Sequence, residues 1–325
     1  TLSSSSAASD VYKRQSVDNT LSNELQTVKK PDFIIGPLLR TNVNKLLDLQ
    51  LDTIPTLLLN LPSEHNLTRN QYALSMRPED EAVQAAASLA KKNYSLPVVF
   101  SHQDPVSQRI AKAFVDEWQR HTSYQPELVS YGQSKKMQTK IKATLGVSQS
   151  EARINDLNSR IKQTIKFQAR NRRDVDMLYI VGSSTQTRLL KPYIDVNISP
   201  FADIIPVYAS SRSHSAQIDA GDTRDLVGMS FTEMPWLLPS AQQNKQLVNA
   251  VQQLFPDRSD SLQRIFAMGY DSLSLINKLS AMQNAPYIHH YGQVGVLKLQ
   301  ANNILSRSLQ WGRYQKSSVK QIELD

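Results

Sequence analysis

Between Pro31 and Asn60 the sequence sets out a strand, a glycine turn, a helix and a second strand, and few folds accept that order. Phe33-Ile34-Ile35 is apolar without alternation, as a strand covered on both faces of a parallel sheet must be. Gly36-Pro37 turns the chain, and Pro37 has no N–H to give a ladder. Val43, Leu46 and Leu47 then share one face of a helix over 42–51, and Ile54 to Leu59 supplies the next buried strand. In open α/β sheets ligands meet the loops at the carboxyl ends of strands, so Gly36-Pro37-Leu38-Leu39 marks one edge of a binding site.

The same grammar repeats. The spacing predicts a helix over 79–92, opened by Pro78 and the acids Glu79, Asp80 and Glu81. It predicts a strand over 97–100, and a helix over 106–121 with Ile110, Phe114 and Trp118 stacked. Further strands are expected at 127–131, 175–181, 204–208 and 226–231. Residues 265–277 read as a strand edge and helix, and 295–299 with 305–314 as a hairpin across Ala301-Asn302-Asn303. Alternating β and α elements imply an α/β fold with parallel sheets.

Composition narrows the chemistry. Cysteine is absent, which removes disulfides, thiol catalysis and thiolate metal sites. The 10 glycines never form G-x-G, so the common phosphate loops are excluded. No run approaches the ~20 apolar residues of a membrane helix. Residues 1–15 have a serine run and the ending AASDVYKRQ, which resembles a translated adapter scar; they are expected to be a disordered, non-native leader.

Charge is concentrated. Lys135, Lys136, Lys140, Lys142, Arg153, Arg160, Lys162, Lys166, Arg170, Arg172 and Arg173 face only Glu151 and Asp156, so 135–173 carries +9 of a chain total of +8. Ile154, Leu157, Ile161 and Ile165 give this basic helical insertion an apolar face. Phe167 is the only aromatic between Tyr131 and Tyr179, which argues against nucleic acid. A solvated face and a docking surface for an acidic partner both remain open, with Lys135, Lys136, Lys140 and Lys142 as docking candidates.

Enzyme motifs are weak. Ser317-Ser318-Val319-Lys320 matches S-x-x-K, but sits in a polar tail without K-T-G. Ser183 and Ser184 lack G-x-S-x-G and read as a helix cap. His289 and His290 are adjacent and would point apart on a strand, so no metal site is expected. His102 with Asp104 is the one cleft-base arrangement, and a surface-loop pair is the favoured reading.

Six stretches occur in an order that resembles the LpoA family, outer-membrane lipoprotein activators of penicillin-binding proteins. They are Gly36-Pro37-Leu38-Leu39 with Asn42-Val43; Arg170 to Asp176; Gln186 to Pro192; Ile205 to His214 (IPVYASSRSH); Phe231 to Trp236 (FTEMPW); and Ala267 to Ser272. The resemblance implies a type I periplasmic-binding-protein fold of two Rossmann-like lobes. Lobe one would comprise 16–77 with 235–290, and lobe two 78–234 with 291–325, the chain crossing near Arg77, Pro235 and Tyr291. The first lobe would be incomplete, and the family's helical-repeat domain and lipid-bearing cysteine would lie outside this sequence.

It also implies a non-catalytic periplasmic regulator without cofactor, outer-membrane-anchored in the full-length protein. Its partner would be a class A penicillin-binding protein, whose peptidoglycan transpeptidase it stimulates, with no nucleic acid and membrane contact only through a lipid. The alternative is a solute-binding receptor closing on a small ligand for an uptake system. Cleft-binding candidates at the strand ends are Leu38, Ser101, Gln103, Ser183, Ser210, Arg212, Glu233, Trp236, Tyr270 and Asp271.

Overall fold

A computed structural model of the chain describes residues 31–63, 65–132, 136–161, 167–217 and 220–324. The leader over 1–15 and Lys135 lie outside them. In chain order the elements are β1 (Ile34–Ile35), α1 (Arg40–Asp48), β2 (Thr56–Leu58), β3 (Gln71–Leu74), α2 (Pro78–Leu89), β4 (Pro97–His102), α3 (Pro105–His121) and β5 (Glu127–Tyr131). Then come α4 (Lys136–Thr144), α5 (Val147–Ile161), β6 (Met177–Val181), α6 (Ser184–Asp195), β7 (Val207–Ala209), α7 (Ala220–Asp225) and β8 (Ser230–Glu233). The chain finishes with α8 (Lys245–Leu254), α9 (Asp260–Leu275), α10 (Leu279–Asn284), β9 (His290–Tyr291), β10 (Val296–Leu299), β11 (Ile304–Ser308), β12 (Gln310–Tyr314) and β13 (Val319–Ile322).

Two sheets result, and the class is α/β. One has six strands in the order β1-β2-β3-β11-β10-β9, and the other seven in the order β13-β12-β8-β7-β6-β4-β5. β1, β2, β3 and β11 run parallel, as do β5, β4, β6, β7 and β8. β12 joins β8 antiparallel and β13 closes that edge antiparallel.

The chain folds as two compact units. The smaller holds the described residues through Ser75, with Ser272–Ile288 and Lys298–Ser306; the larger holds the described residues of Met76–Asp271, His289–Leu297 and those from Arg307 onward. Residues 235–271, grouped by sequence with 16–77, thus cluster with the larger unit. Bonds from Arg264 to Glu233 and from Gln293 and Val294 to Asp271, described below, hold them there.

In the larger unit the strands are buried on both faces, which is why they read as unbroken apolar runs. Val98, Phe100, Leu178 and Ile180 pack on one side; Val99, Met177, Tyr179 and Val181 pack on the other, under α2 and α3. The Ile110, Phe114 and Trp118 stripe is wholly buried, with Phe114 stacked 4.0 Å from Tyr179. Each such side chain contributes roughly 1.5–3 kcal/mol of burial. In the smaller unit, Val43, Leu46 and Leu47 of α1 cover Leu58 and Ala73 of β2 and β3.

Several expectations are corrected. Residues 265–277 hold no strand edge; they fall largely within the continuous helix α9. Residues 305–314 form two strands, β11 pairing with β3 and β12 pairing with β8, instead of one hairpin arm. The strand expected at 226–231 begins only at Ser230, after a turn at Gly228, whose φ is 83°. Ile204 stands outside β7 and is 93% exposed. Sequence gave no sign of β3, whose Gln71 is buried because its side chain bonds Asp52 Oδ1 at 2.9 Å. Among the described residues no helix is long and apolar enough to cross a membrane.

Candidate functional site: the strand-end network and the basic helices

At the carboxyl ends of β4, β6 and β7 the polar residues join into one network. Asp104 caps α3, accepting the Ser107 N–H at 2.9 Å and the Ser107 hydroxyl at 2.6 Å. Arg212 Nη1 donates to Ser107 Oγ at 2.9 Å and lies 3.5 Å from Asp104 Oδ1. His102 Nδ1 is 3.0 Å from Asp104 Oδ2 and 3.0 Å from Gln186 Nε2. Ser183 caps α6 in a capping box: its Oγ accepts the Gln186 N–H, and Gln186 Oε1 accepts the Ser183 N–H.

Partial burial would raise the Asp104 carboxyl, but its bonds from Ser107 and His102 and the nearby Arg212 hold it well below the usual carboxylate range. That carboxylate is a cap and a clamp. A nucleophilic triad needs the hydroxyl bonded to the imidazole; here Ser107 bonds the carboxylate instead.

Beside Arg212 the chain enters a buried charge cluster. Glu233, at the end of β8, is fully buried and takes two bonds from Arg264 of α9, each at 2.7 Å. It also lies 2.9 Å from His214 Nδ1 and accepts its neighbour Met234 N–H at 2.8 Å. Burial alone would raise this carboxyl; Arg264 and His214 overcome that and hold it below its ordinary value. Arg264 also donates to the Ser211 carbonyl at 3.3 Å. Ser211 Oγ in turn donates to Glu81 of α2, which also takes Arg307 of β11. Two carboxylates thus meet two guanidiniums. Within the cluster His214 Nε2 and Arg307 Nη1 are buried with no hydrogen-bond partner among the described residues.

The remaining candidates lie apart from this network. Asp271 is buried and accepts the N–H groups of Gln293 and Val294 at 2.9 and 2.7 Å. Gly292 leaves room for that carboxylate, since a Cβ there would meet Asp271 Oδ2 at 2.3 Å. Trp236 is buried against Phe266, and its backbone N–H donates to the Gln293 carbonyl at 3.0 Å. Ser101 is buried with its hydroxyl on the His102 carbonyl at 3.1 Å, and Gln103 is exposed beside Gly132. Ser210 is buried, with no hydrogen-bond partner for its hydroxyl among the described residues. Tyr270 is half-buried on α9, and Leu38 lies in the smaller unit, its carbonyl accepting Asn60 Nδ2 at 3.0 Å. Among the described residues no group of three His, Asp or Glu could hold a metal ion.

Sequence reasoning missed Arg264, Glu81 and Arg307, and singled out His214 only within a motif. Arg264 lies 31 residues from Glu233 on an ordinary amphipathic helix. Glu81 sits in a helix first turn, where an acid already has a sufficient reason to be.

The basic insertion is the β5-to-β6 connection. α4 is anchored in the core by Ile141, and Leu145 and Val147 at the α4–α5 junction are buried with it. Leu157 and Ile161, of the expected apolar helical face, are 43% and 46% exposed. Lys136 and Lys140 are exposed, while Lys142 pairs with Glu151 at 2.8 Å. Ser317, of the S-x-x-K match, is exposed just ahead of β13.

Two largely parallel α/β sheets with polar residues gathered at the strand ends are the architecture of a periplasmic-binding-protein-like fold, which the superpositions below share. The chain belongs to the LppC/LpoA family: the family model described as "LppC putative lipoprotein" matches residues 10–317. Among curated relatives, the penicillin-binding protein activator LpoA of Vibrio antiquarius is 32% identical over 87% of this chain, and that of Aliivibrio fischeri 31% over 86%. The chain spans about half the length of these relatives, 47% and 45%. Among solved structures, the LpoA (YraM) C-domain of Haemophilus influenzae, "a regulator of PBP1A", superposes with a TM-score of 0.69 at 21% identity, covering 94% of this chain and 86% of that one. A "putative branched-chain amino acid ABC transporter" of Chromobacterium violaceum reaches 0.67 at 22% identity, covering 92% and 85%. At these identities the likeness is one of fold.

Proposed function

We propose that this chain is the regulatory module of a periplasmic, outer-membrane-anchored lipoprotein that binds a class A penicillin-binding protein and raises its peptidoglycan transpeptidase activity. The match to the family over residues 10–317, with activator-named relatives, is the observation that carries this reading. The chain acts without catalysis: its Asp104 is a helix cap, and its Glu233 is neutralised in place. In this reading the chain passes between its two units near Arg77 and near Tyr291, and Lys135, Lys136, Lys140 and Lys142 contribute to docking.

The activator-named relatives weigh against the receptor alternative. At the ends of β7 and β8, Arg264 fills the role a cationic ligand group would take on Glu233. An activator works only by binding the active state of its target more tightly than the inactive one. The test is co-purification of this chain with a class A penicillin-binding protein, scored by whether binding survives penicillin occupancy of the transpeptidase site. A chain that instead bound amino acids tightly and ignored the synthase would support the receptor.

A further inference from the structure

In the larger unit, the loop ahead of α8 and the first turn of that helix border a cavity of about 560 Å³, with Ser240, Asn244, Lys245 and Gln246 among its lining residues. Gln293 fixes the loop from both sides: its Oε1 accepts the Asn244 N–H and its Nε2 donates to the Gln242 carbonyl, each at 3.0 Å. Gln243 Nε2 adds a bond to the Trp236 carbonyl at 2.9 Å. Asn244 caps α8, its Oδ1 accepting the Leu247 N–H at 3.0 Å and its carbonyl the Val248 N–H at 2.9 Å. The N–H groups of Lys245 and Gln246, the first two helical residues, are left with no partner among the described residues.

Two further features single this cavity out. Ser240, which lines it, is only 5% exposed, and its hydroxyl has no hydrogen-bond partner among the described residues. A buried hydroxyl left so costs free energy that a bound acceptor would return. Charge is the other feature. Lys245 is the only charged residue from Met234 to Pro256, and it stands at the first position of α8, where the helix dipole disfavours a cation. No acid occupies that first turn, and Lys245 is exposed without a carboxylate partner among the described residues.

We infer that this cavity binds a small molecule through a phosphate group, held by the N–H groups of Lys245 and Gln246, the Lys245 ammonium and the Ser240 hydroxyl. The unpaired cation and the open helix N-terminus select an anion. Four donors, with no carboxylate among the lining residues, suit a tetrahedral oxyanion better than the two oxygens of a carboxylate. The volume falls in the range of small-molecule sites, roughly 300–1,000 Å³, so the rest of such a ligand has room beside its phosphate. This site goes beyond the proposed synthase-binding function and does not depend on it.

The experiment titrates the purified, isotope-labelled chain with inorganic phosphate at neutral pH and constant ionic strength, following amide resonances. Acetate and chloride are titrated in parallel. Saturable shifts of the Lys245 and Gln246 amides with phosphate, at a lower midpoint than with acetate or chloride, are expected. Lys245→Gln should weaken phosphate binding roughly fivefold or more, the loss of a charge-assisted bond. Ser240→Ala should weaken it roughly threefold, the loss of one neutral bond. Lys245 is exposed, so its variant should keep the wild-type melting temperature and carries the test even if Ser240→Ala unfolds. Absence of saturable shifts at these amides, or a Lys245→Gln midpoint equal to wild type, overturns the inference. Equal midpoints for phosphate and chloride mean an adventitious ion only, and a tighter midpoint for acetate assigns a carboxylate; either result also overturns it. Synthase binding is untouched by any of these outcomes.

Discussion

Removing Arg264 isolates the most consequential bond in the larger unit. In an Arg264→Met variant, Glu233 keeps only the Met234 N–H and His214, while remaining fully buried. Breaking a buried pair by deleting one partner costs about 3–5 kcal/mol. For a unit of this size that corresponds to a fall in melting temperature of roughly 6–20 °C. The cost depends on pH with a definite sign. In wild type the Glu233 carboxyl sits below its ordinary value, so its stabilisation is complete above the ordinary pKa of about 4.3 and is lost as pH falls through the depressed one. In the variant, desolvation pushes the carboxyl upward, so ionisation itself destabilises the fold as pH rises. The gap between the two proteins is therefore larger at pH ~7.5 than at pH ~5.

Urea unfolding followed by tryptophan fluorescence reads this directly, since Trp118, Trp236 and Trp311 all lie in the larger unit. Adding Glu233→Gln to Arg264→Met should recover part of the loss by removing the stranded charge. A single variant within about 0.5 kcal/mol of wild type at both pH values would refute the reasoning.

Three further outcomes are expected. Asp104→Ala removes the cap of α3 and the anchor of Arg212, and should cost about 1–2 kcal/mol by urea midpoint. Its carboxyl is held well below the usual range, so that deficit should persist at pH ~4 and close only in stronger acid. Reversing Lys136 and Lys140 to glutamate should leave stability within about 0.5 kcal/mol. It should nonetheless slow association with the synthase, most clearly at low salt where screening beyond ~10 Å is weak. Incubation with labelled penicillin should leave no covalent adduct at Ser317, and Ser317→Ala should leave synthase stimulation unchanged in a cross-linking assay.

Where burial alone decides structure, the sequence was legible. Pro97–His102 and Met177–Val181 are apolar because both their faces are covered, and Ile110, Phe114 and Trp118 are periodic because one face is. The pattern failed where a polar group or a sheet change decided the matter. Gln71 hides β3 because its amide, satisfied by Asp52, breaks the apolar run. Residues 305–314 read as one hairpin arm, yet the chain changes sheets between Ser308 and Gln310, and periodicity carries no record of the partner strand. At the site, Ser183 was visible as a cap because capping is local, whereas Asp104, read only as a loop partner of His102, also caps α3. Arg264 and Arg307 were not, because their partners Glu233 and Glu81 lie 31 and 226 residues away. Ile204 misled for the opposite reason: it has the composition of a strand but is left to solvent.

The central claim is activation of a peptidoglycan synthase, and the most direct measurement is the cross-linked fraction of glycan product. A purified class A penicillin-binding protein is supplied with lipid-linked disaccharide-pentapeptide precursor, with and without this chain, and the muropeptides are separated. The account predicts a cross-linked fraction that rises with chain concentration and saturates at the binding midpoint. An unchanged fraction at concentrations well above that midpoint, or no binding at all, would contradict it.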